Sequence, residues 1–198
     1  VIHAQTGEKV AEYGNPFVEP AALAPLAVAI ARLFKEPTGD GALLAWEKPG
    51  PGKAFGNRVL EMGYRNVYYQ ETDHVFSSKV PDVPGWYPSP DAKRVLLEDY
   101  RAALQSREVV NRSVEALEDC LSFLQTANGV KHSQFETKDD PTGARVNHGD
   151  RVIADALAWK MVRAMGGTRA AEKNPEVKVG SLAWRRQLRQ DQSVREGA

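Results

Sequence analysis

The sequence predicts an α/β fold in which helices flank a mixed β-sheet. Apolar residues recur at helical spacing in several separate segments. Between the first two of them lies the continuous apolar run Ala42–Trp46, which is typical of a strand buried on both faces. A chain of 198 residues, 42% of them hydrophobic, is also long enough to bury one sizeable core.

The first half of the chain alternates strands and helices. It opens with a predicted β-hairpin whose turn contains Gly7. We expect the strand at residues 42–46 to pair in parallel, and Gly63 to end the second helix. In chain order the predicted elements are the hairpin strands Val1–Ala4 and Lys9–Tyr13, the helix Glu19–Lys35 with Leu23, Leu26, Ala27, Ile30, Leu33 and Phe34 at helical spacing, the strand Ala42–Trp46, the helix Lys53–Met62 and the strand Asn66–Gln70.

The second half is mainly helical. Residues 71–90 contain four prolines and predict a long loop, which often faces a partner. The elements predicted after it are a helix from Ser89 to about Gln105 with Val95, Leu96, Tyr100 and Leu104 facing inward, a helix with Val114, Leu117, Leu121 and Leu124, a short strand Val130–Phe135, a turn-rich loop Lys138–Gly143, and a helix Arg151–Met165 that buries Val152, Ile153, Ala156, Leu157 and Met161.

Composition narrows the function classes only partly. The 26 basic and 26 acidic residues give no net charge, but residues 160–198 carry nine Lys or Arg against four acids, so the C-terminal tail is basic. Cys120 is the single cysteine, which excludes an internal disulfide and fits a reducing compartment. No apolar run approaches the roughly 20 residues that span a bilayer, and no signal peptide begins the chain, so we expect a soluble, cytoplasmic protein without membrane partners.

Two carboxylates occupy positions at which α/β folds commonly have catalytic or ligand-binding residues. Glu47 follows the apolar run 42–46, at the carboxyl end of a predicted strand. Asp150 precedes the last helix, where a carboxylate could simply cap free N–H groups. Together the two could bind Mg²⁺, which prefers hard oxygen ligands, with His148 orienting a ligand or water. Asp139, Asp140 and Asp155 are expected to be structural or solvated, and no P-loop for ATP occurs.

The order of several motifs resembles the C-terminal nuclease domain of the large terminase subunit of tailed bacteriophages. The resemblance covers about residues 1–165 and implies a nuclease domain over residues 1–167 followed by the basic tail 168–198. The motifs are Leu43-Leu44-Ala45-Trp46-Glu47-Lys48-Pro49-Gly50, Gly63-Tyr64-Arg65-Asn66-Val67-Tyr68-Tyr69, Gly85-Trp86 ahead of Lys93, and His148-Gly149-Asp150-Arg151-Val152-Ile153-Ala154.

The resemblance implies a ribonuclease H-like fold and an endonuclease that cuts concatemeric viral DNA when packaging begins and ends. Glu47 and Asp150 would be metal ligands for Mg²⁺ or Mn²⁺, with two ions expected and His148 beside them. The implied partners are double-stranded DNA, the terminase ATPase domain, the portal and the small terminase subunit, in the host cytoplasm. Candidate phosphate contacts flank the two carboxylates: Lys48, Lys53, Arg58, Arg145 and Arg151.

The chain departs from the family pattern at two places. The first metal-binding Asp of the family lies on a central strand ahead of the hairpin, and no residue here matches it. Gly149 stands where many relatives carry a second Asp. Because the sequence starts at Val1 on a strand-like segment, we expect a fragment that lacks its central strand and is poorly stable or associates without it.

Two other functions remain open at the level of the sequence. A ribonuclease H-like resolvase or transposase would prefer branched DNA over linear duplex. A module that grips DNA or docks on the portal through residues 71–90 and the basic tail would bind DNA in a salt-sensitive way without cutting it.

Overall fold

The computed structural model describes residues 1–34, 39, 41–70, 83–126, 129–132 and 149–165. Within these residues the chain forms five α-helices and one two-stranded antiparallel sheet. In chain order the elements are α1 Pro20–Leu33, α2 Pro51–Glu61, α3 Pro90–Ser106, α4 Val114–Leu121, β1 Phe123–Thr126, β2 Gly129–His132 and α5 Asp150–Ala164. Further extended segments are joined by single bridges.

The predicted hairpin is present at the start of the chain. Ile2 and Lys9 form an antiparallel bridge, and the backbone N–H of His3 donates to the carbonyl of Glu8 at 2.8 Å. Gly7 turns the chain with a φ of 70°, a conformation that glycine adopts at little cost. The hairpin is also tied to the segment after α3, because the Lys9 N–H donates to the carbonyl of Val110 at 2.9 Å.

Three extended segments lie side by side in parallel. We call residues 42–48, 66–70 and 84–87 the central layer. The parallel direction predicted for residues 42–46 is observed, but the predicted loop 71–90 is wrong at its end, because residues 85 and 86 pair with the layer. The bridges are Leu44 with Val67, Tyr69 with Gly85, and Glu47 with Trp86.

Side chains of residues 42–46 alternate between two groups of helices. Ala42, Leu44 and Trp46 pack with the core of α1 and α2, whereas Leu43 and Ala45 pack against the core of α3 and α5. Successive side chains of an extended segment point to opposite faces. Helices therefore cover the segment on both sides, which explains why its apolar run is uninterrupted.

Helix α1 begins near the predicted residue, and Leu23 and Ala27 of its predicted apolar side are partly buried against the core, but the fully buried residues are the neighbouring smaller ones. Ala24, Val28 and Ala31 are buried, whereas Leu33 is 76% exposed. The buried residues are small and face Phe55 of α2 in one core cluster. The side that permits the close approach of two helices is therefore buried, rather than the side with the largest apolar residues.

Helices α3 and α5 agree best with the sequence predictions. Ser89 caps α3, because its Oγ accepts a hydrogen bond from the N–H of Ala92 at 3.2 Å. In α5 all five residues predicted to be buried are buried: Val152, Ile153, Ala156, Leu157 and Met161. In α3 the prediction is right for Leu96 and Tyr100 and wrong for Val95, which is exposed.

Helix α4 is shorter than predicted, and its apolar stripe is exposed. It ends at Leu121, which is 82% exposed, and Leu124 belongs instead to β1. The buried side of the helix contains Ala116 and Asp119. Residues 130–132 of the strand predicted at 130–135 belong to β2, which pairs with β1 in an antiparallel hairpin, and residues 133–135 lie outside the described residues.

Several predicted features lie outside the described residues. They are most of the loop 71–90, the acidic pair Asp139 and Asp140, the glycines after α5, and the basic tail 168–198. Among the helices that are described, none has both the length and the apolar character needed to cross a lipid bilayer.

Candidate functional site

Glu47 lies at the carboxyl end of its extended segment, as predicted. The neighbouring Lys48 N–H donates to the carbonyl of Trp86 at 2.7 Å, which holds this end in the central layer. The chain then turns at Gly50, whose φ is 60°, and enters α2. Helix α2 packs directly on this end, since a Cβ added to Gly52 would lie 1.7 Å from the Glu47 carbonyl oxygen. Glu47 is thus fixed between a segment end and a helix start.

The Glu47 carboxylate has one unsatisfied oxygen. Its Oε1 is shielded from solvent and accepts no hydrogen bond from any described residue. Leaving a buried polar atom without a partner costs about 1–3 kcal/mol, and more for a charged group. A bound cation, or a donor from elsewhere, would remove this cost.

Asp150 begins α5 but does not cap it. Gly149, with a φ of 71°, occupies the cap position, and Asp150 is the first helical residue. Because Asp150 lies inside the helix rather than at its N-cap, the capping interpretation of Asp150 is wrong. The exposed carboxylate is still favoured by the positive end of the helix dipole. Its oxygens are not engaged by the described part of the chain.

The alternation of side chains assigns Glu47 to the face of the central layer on which α5, the helix that starts at Asp150, packs. Leu43 and Ala45 face α3 and α5, and the alternation of side chains gives Glu47 that face as well. Helix α5 packs on this face and begins with Asp150. Within the described residues, however, no three His, Cys, Asp or Glu side chains lie close enough to hold a metal ion. His148 and Arg145 fall outside those residues.

The two predicted lysine contacts line one cavity. It has a volume of about 200 Å³ and lies on the side of the central layer where Trp46 packs against α2. Among the described residues, no acidic side chain contributes to its wall. The lining residues are Trp46, Lys48, Lys53, Gly56, Asn57, Leu60, Val83 and Pro84.

The two predicted arginine contacts that are described both pair with acids. Arg58 lies 3.0 Å from Glu61 in the next turn of α2. Arg151 donates from Nε to Glu12 at 2.9 Å, and its Nη1 lies 3.8 Å from Asp119. A DNA phosphate would have to compete with these carboxylates for either guanidinium group.

A group of polar and charged side chains surrounds Asp155, which we expected to be solvated. That expectation is wrong, because Asp155 is only 5% exposed. Its Oδ2 accepts hydrogen bonds from Lys9 Nζ at 2.7 Å, from Asn111 Nδ2 at 2.9 Å and from the Tyr100 hydroxyl at 3.4 Å. Lys9 also pairs with Glu12. We call Lys9, Glu12, Tyr100, Asn111 and Asp155 the Asp155 cluster.

Burial controls protonation in and around this cluster. It raises the pKa of Asp155, although the hydrogen bond from Lys9 acts in the opposite direction. Burial, with the charge of Asp155, also raises the pKa of Tyr100 and raises that of the Cys120 thiol to about 11. Burial is also the largest single influence on Glu12 and acts to raise its pKa, but the hydrogen bond and charge of Lys9 together with hydrogen bonds from Ser113 and Arg151 outweigh it, so the net pKa is lowered.

A signal for the buried position of Asp155 was present in the sequence. The residue lies three positions after Val152 and four before Trp159, so all three share one side of α5. Its charge argued against burial, and its partners are distant in sequence.

Comparison with protein-family models, with curated proteins and with solved structures finds no match for this chain.

Proposed function

We propose that this chain is the nuclease domain of a phage-type large terminase, a ribonuclease H-like endonuclease that hydrolyses DNA phosphodiesters with a divalent metal ion. The solvent-shielded, unpartnered Oε1 of Glu47 carries the proposal. It lies at the carboxyl end of a parallel segment, the edge where open α/β folds gather their ligands. The ATPase motor, the portal and the small subunit are partners that this function implies.

The available donors suit Mg²⁺ or Mn²⁺. Hard carboxylate oxygens come from Glu47, on the face of the central layer where α5 packs, and from Asp150 at the start of α5, and both ions favour such ligands. These two residues would hold the metal. When bound, it would activate a water molecule and stabilise the leaving oxygen of the cleaved phosphodiester. A third carboxylate is expected from the strand that the family places ahead of the hairpin.

The central layer leaves one backbone edge where such a strand would pair. Leu44 exchanges hydrogen bonds with residues 66 and 68, and Trp46 accepts one from residue 86. In an extended segment the backbone groups of alternate residues face opposite edges. Those of Leu43 and Ala45 therefore face the other edge, where no described residue pairs with them. A strand added at this edge would satisfy them and lie beside Glu47.

The chain's own residues would mainly position the DNA. Lys48 and Lys53 lie next to the Glu47 corner and carry charges that can neutralise phosphates. Contacts of this kind fix the register of a strand without reading its bases. We therefore expect cleavage with little sequence preference.

The proposal is tested by nicking of supercoiled plasmid in Mg²⁺ and in Mn²⁺ by the full-length protein that contains this chain. Glu47→Gln and Asp150→Asn should each abolish nicking, because each removes a charged metal ligand but preserves the shape of the side chain. DNA binding without metal should persist in both variants.

A matched control is available for Asp150. Asp91 is also an exposed aspartate in the first turn of a helix, so Asp91→Asn removes the same interaction with the helix dipole. It should leave nicking unchanged. A folded full-length protein that binds DNA but does not nick it in either metal would exclude the nuclease and favour a module that only grips DNA. Preferential cutting of branched DNA would instead favour a resolvase.

A further inference from the structure

The cavity beside Trp46 is lined by nitrogen donors. Lys48, Lys53, Asn57 and Trp46 are among its lining residues, and their side chains carry two ammonium groups, an amide and an indole N–H. With no carboxylate in the described wall, the cavity favours an oxygen-rich anion over a cation.

Two glycines determine where the indole nitrogen lies. A Cβ on Gly56 would be 2.5 Å from Trp46 Nε1, and one on Gly85 would be 3.1 Å from it. The absence of side chains at both positions lets the ring lie between α2 and the central layer. Phe55 fixes the ring from another direction, with an edge-on contact at a centroid distance of 5.6 Å. Since Gly56 also lines the cavity, the indole N–H lies at the cavity wall.

Size and charge identify the class of ligand. A volume of about 200 Å³ is below the roughly 300–1,000 Å³ typical of sites for whole small molecules. It suits one phosphate group better than a complete nucleotide. A second cavity, of about 250 Å³ between α3 and α5, is different, because Asp91 and Asp99 line it together with Lys160. That mixture of charges does not favour an anion.

We infer that the Trp46 cavity binds one phosphate of the DNA strand that is cut at Glu47. This inference rests on the proposed function and adds a binding subsite to it. Trp46 faces α1 and α2, whereas Glu47 belongs to the opposite face of the central layer. The phosphate held in the cavity is therefore not the scissile phosphate but another phosphate of the same strand. Its role is to fix the position of the strand.

The test measures DNA binding without cleavage. A fluorescent duplex is titrated with the full-length protein in EDTA at several NaCl concentrations, and the slope of log K against log [NaCl] is determined by anisotropy. Lys53→Gln should reduce the magnitude of the slope by about 0.9, the contribution of one phosphate contact. Asn57→Leu should weaken binding roughly 2- to 10-fold without changing the slope, because it removes hydrogen bonds but no charge.

The matched control is Lys160→Gln, the same change at an exposed lysine of the other cavity. It should leave the slope unchanged, and all variants should keep the thermal unfolding temperature of the parent. Equal slopes for Lys53→Gln and Lys160→Gln would overturn the inference. It would also be overturned if Lys53→Gln weakened binding of inorganic phosphate but left the DNA slope intact, since the cavity would then serve a free oxyanion.

Failure of the subsite and failure of the nuclease give different results. If both proposals hold, the Lys53→Gln variant should nick more slowly than the parent at low DNA concentration. Its nicking rate should reach that of the parent at saturating DNA, because only binding is impaired. A protein that never nicks, yet shows the Lys53-specific change in slope, would exclude the nuclease and retain the phosphate subsite. Normal nicking with no Lys53-specific change would exclude the subsite alone.

Discussion

Asp155 connects three parts of the chain through one carboxylate oxygen. Lys9 reaches it from the hairpin, Tyr100 from α3 and Asn111 from the segment before α4. The Lys9 and Asp155 side chains are only 5% and 8% exposed, so water screens their interaction little. Removing one partner would leave the other as an uncompensated buried charge.

We predict that Lys9→Met lowers the free energy of unfolding by roughly 3–5 kcal/mol, the usual cost of breaking a buried ion pair from one side. Lys9→Met combined with Asp155→Leu should recover much of this loss, because neither charge is then buried alone. Urea unfolding of the parent, both single variants and the double variant measures the effect.

An exposed lysine provides the control for this cycle. Lys160→Met should change the free energy of unfolding by no more than about 0.5 kcal/mol. The prediction is contradicted if Lys9→Met is as mild as this control, or if the two single changes simply add in the double variant.

Candidate site residues could be found in the sequence where a local marker accompanied them. Glu47 follows an apolar strand, and Asp150 precedes a strongly periodic helix, so both could be assigned to element ends. For Asp155 the sequence signal for burial was its position on the apolar side of a helix, whereas its charge suggested exposure to solvent. Its burial depends on Lys9, 146 residues away along the chain, and one sequence does not reveal such a pairing.

At the scale of elements, the contact of α2 with the Glu47 segment depends on glycine. Gly52 and Gly56 lie one helical turn apart, and a Cβ on either would collide, the first with the Glu47 carbonyl and the second with the Trp46 ring. Such close packing transmits a small change in side-chain size directly to the backbone. The position of the Glu47 carboxylate should therefore be sensitive to residue 52.

We predict that Gly52→Ala displaces α2 from the central layer, lowers the free energy of unfolding by about 1–3 kcal/mol and strongly reduces nicking. The cause is the clash of the new Cβ with the Glu47 carbonyl oxygen, which lies 1.7 Å from the ideal Cβ position. Denaturant unfolding and the plasmid assay measure the two effects on the same preparation.

Gly63→Ala separates loss of stability from displacement of Glu47. Gly63 follows the same helix with a φ of 75°, and a Cβ there would meet no atom within 4 Å. The change should cost about 1 kcal/mol through backbone strain alone and leave nicking intact. If Gly52→Ala were as active as Gly63→Ala, a tight contact at Glu47 would be unnecessary for cleavage.

Element types were more predictable than the sides they bury. Caps and periodicity located α3 and α5, because Ser89 and the spacing of apolar residues act locally. The buried side of α4 was predicted wrongly and that of α1 only in part, since contacts with α2 and α5 select small or charged residues over larger apolar ones. The pairing of residues 85 and 86 was missed because only two residues take part, among prolines.

At the scale of the whole molecule, the central layer separates the two cores. Helices α1 and α2 belong to one core cluster, and helices α3 and α5 to the other. The layer presents paired backbone groups on one edge and, among the described residues, unpaired ones at Leu43 and Ala45 on the other. The resemblance to terminase nucleases predicts a further strand at this open edge.

Amide hydrogen exchange of the central layer tests this arrangement. In the 198-residue chain as a monomer, we predict that the amides of Leu44 and Lys48, which donate to residues 66 and 86, exchange more slowly than those of Leu43 and Ala45. If a further strand pairs at this edge, as the proposed function implies, all four amides should be protected in a protein that contains it. Similar rates for Leu43 and Leu44 in the monomeric chain would contradict the open edge.

The alternation of residues 42–46 between the two cores also limits which mutations this segment can accept. A substitution in this segment changes one contact, but a one-residue insertion or deletion ahead of Glu47 would turn every later side chain to the opposite face. Glu47 would then move to the side of the lysine-lined cavity and away from the face on which α5 packs. We therefore expect this segment to tolerate amino-acid substitutions far better than insertions or deletions.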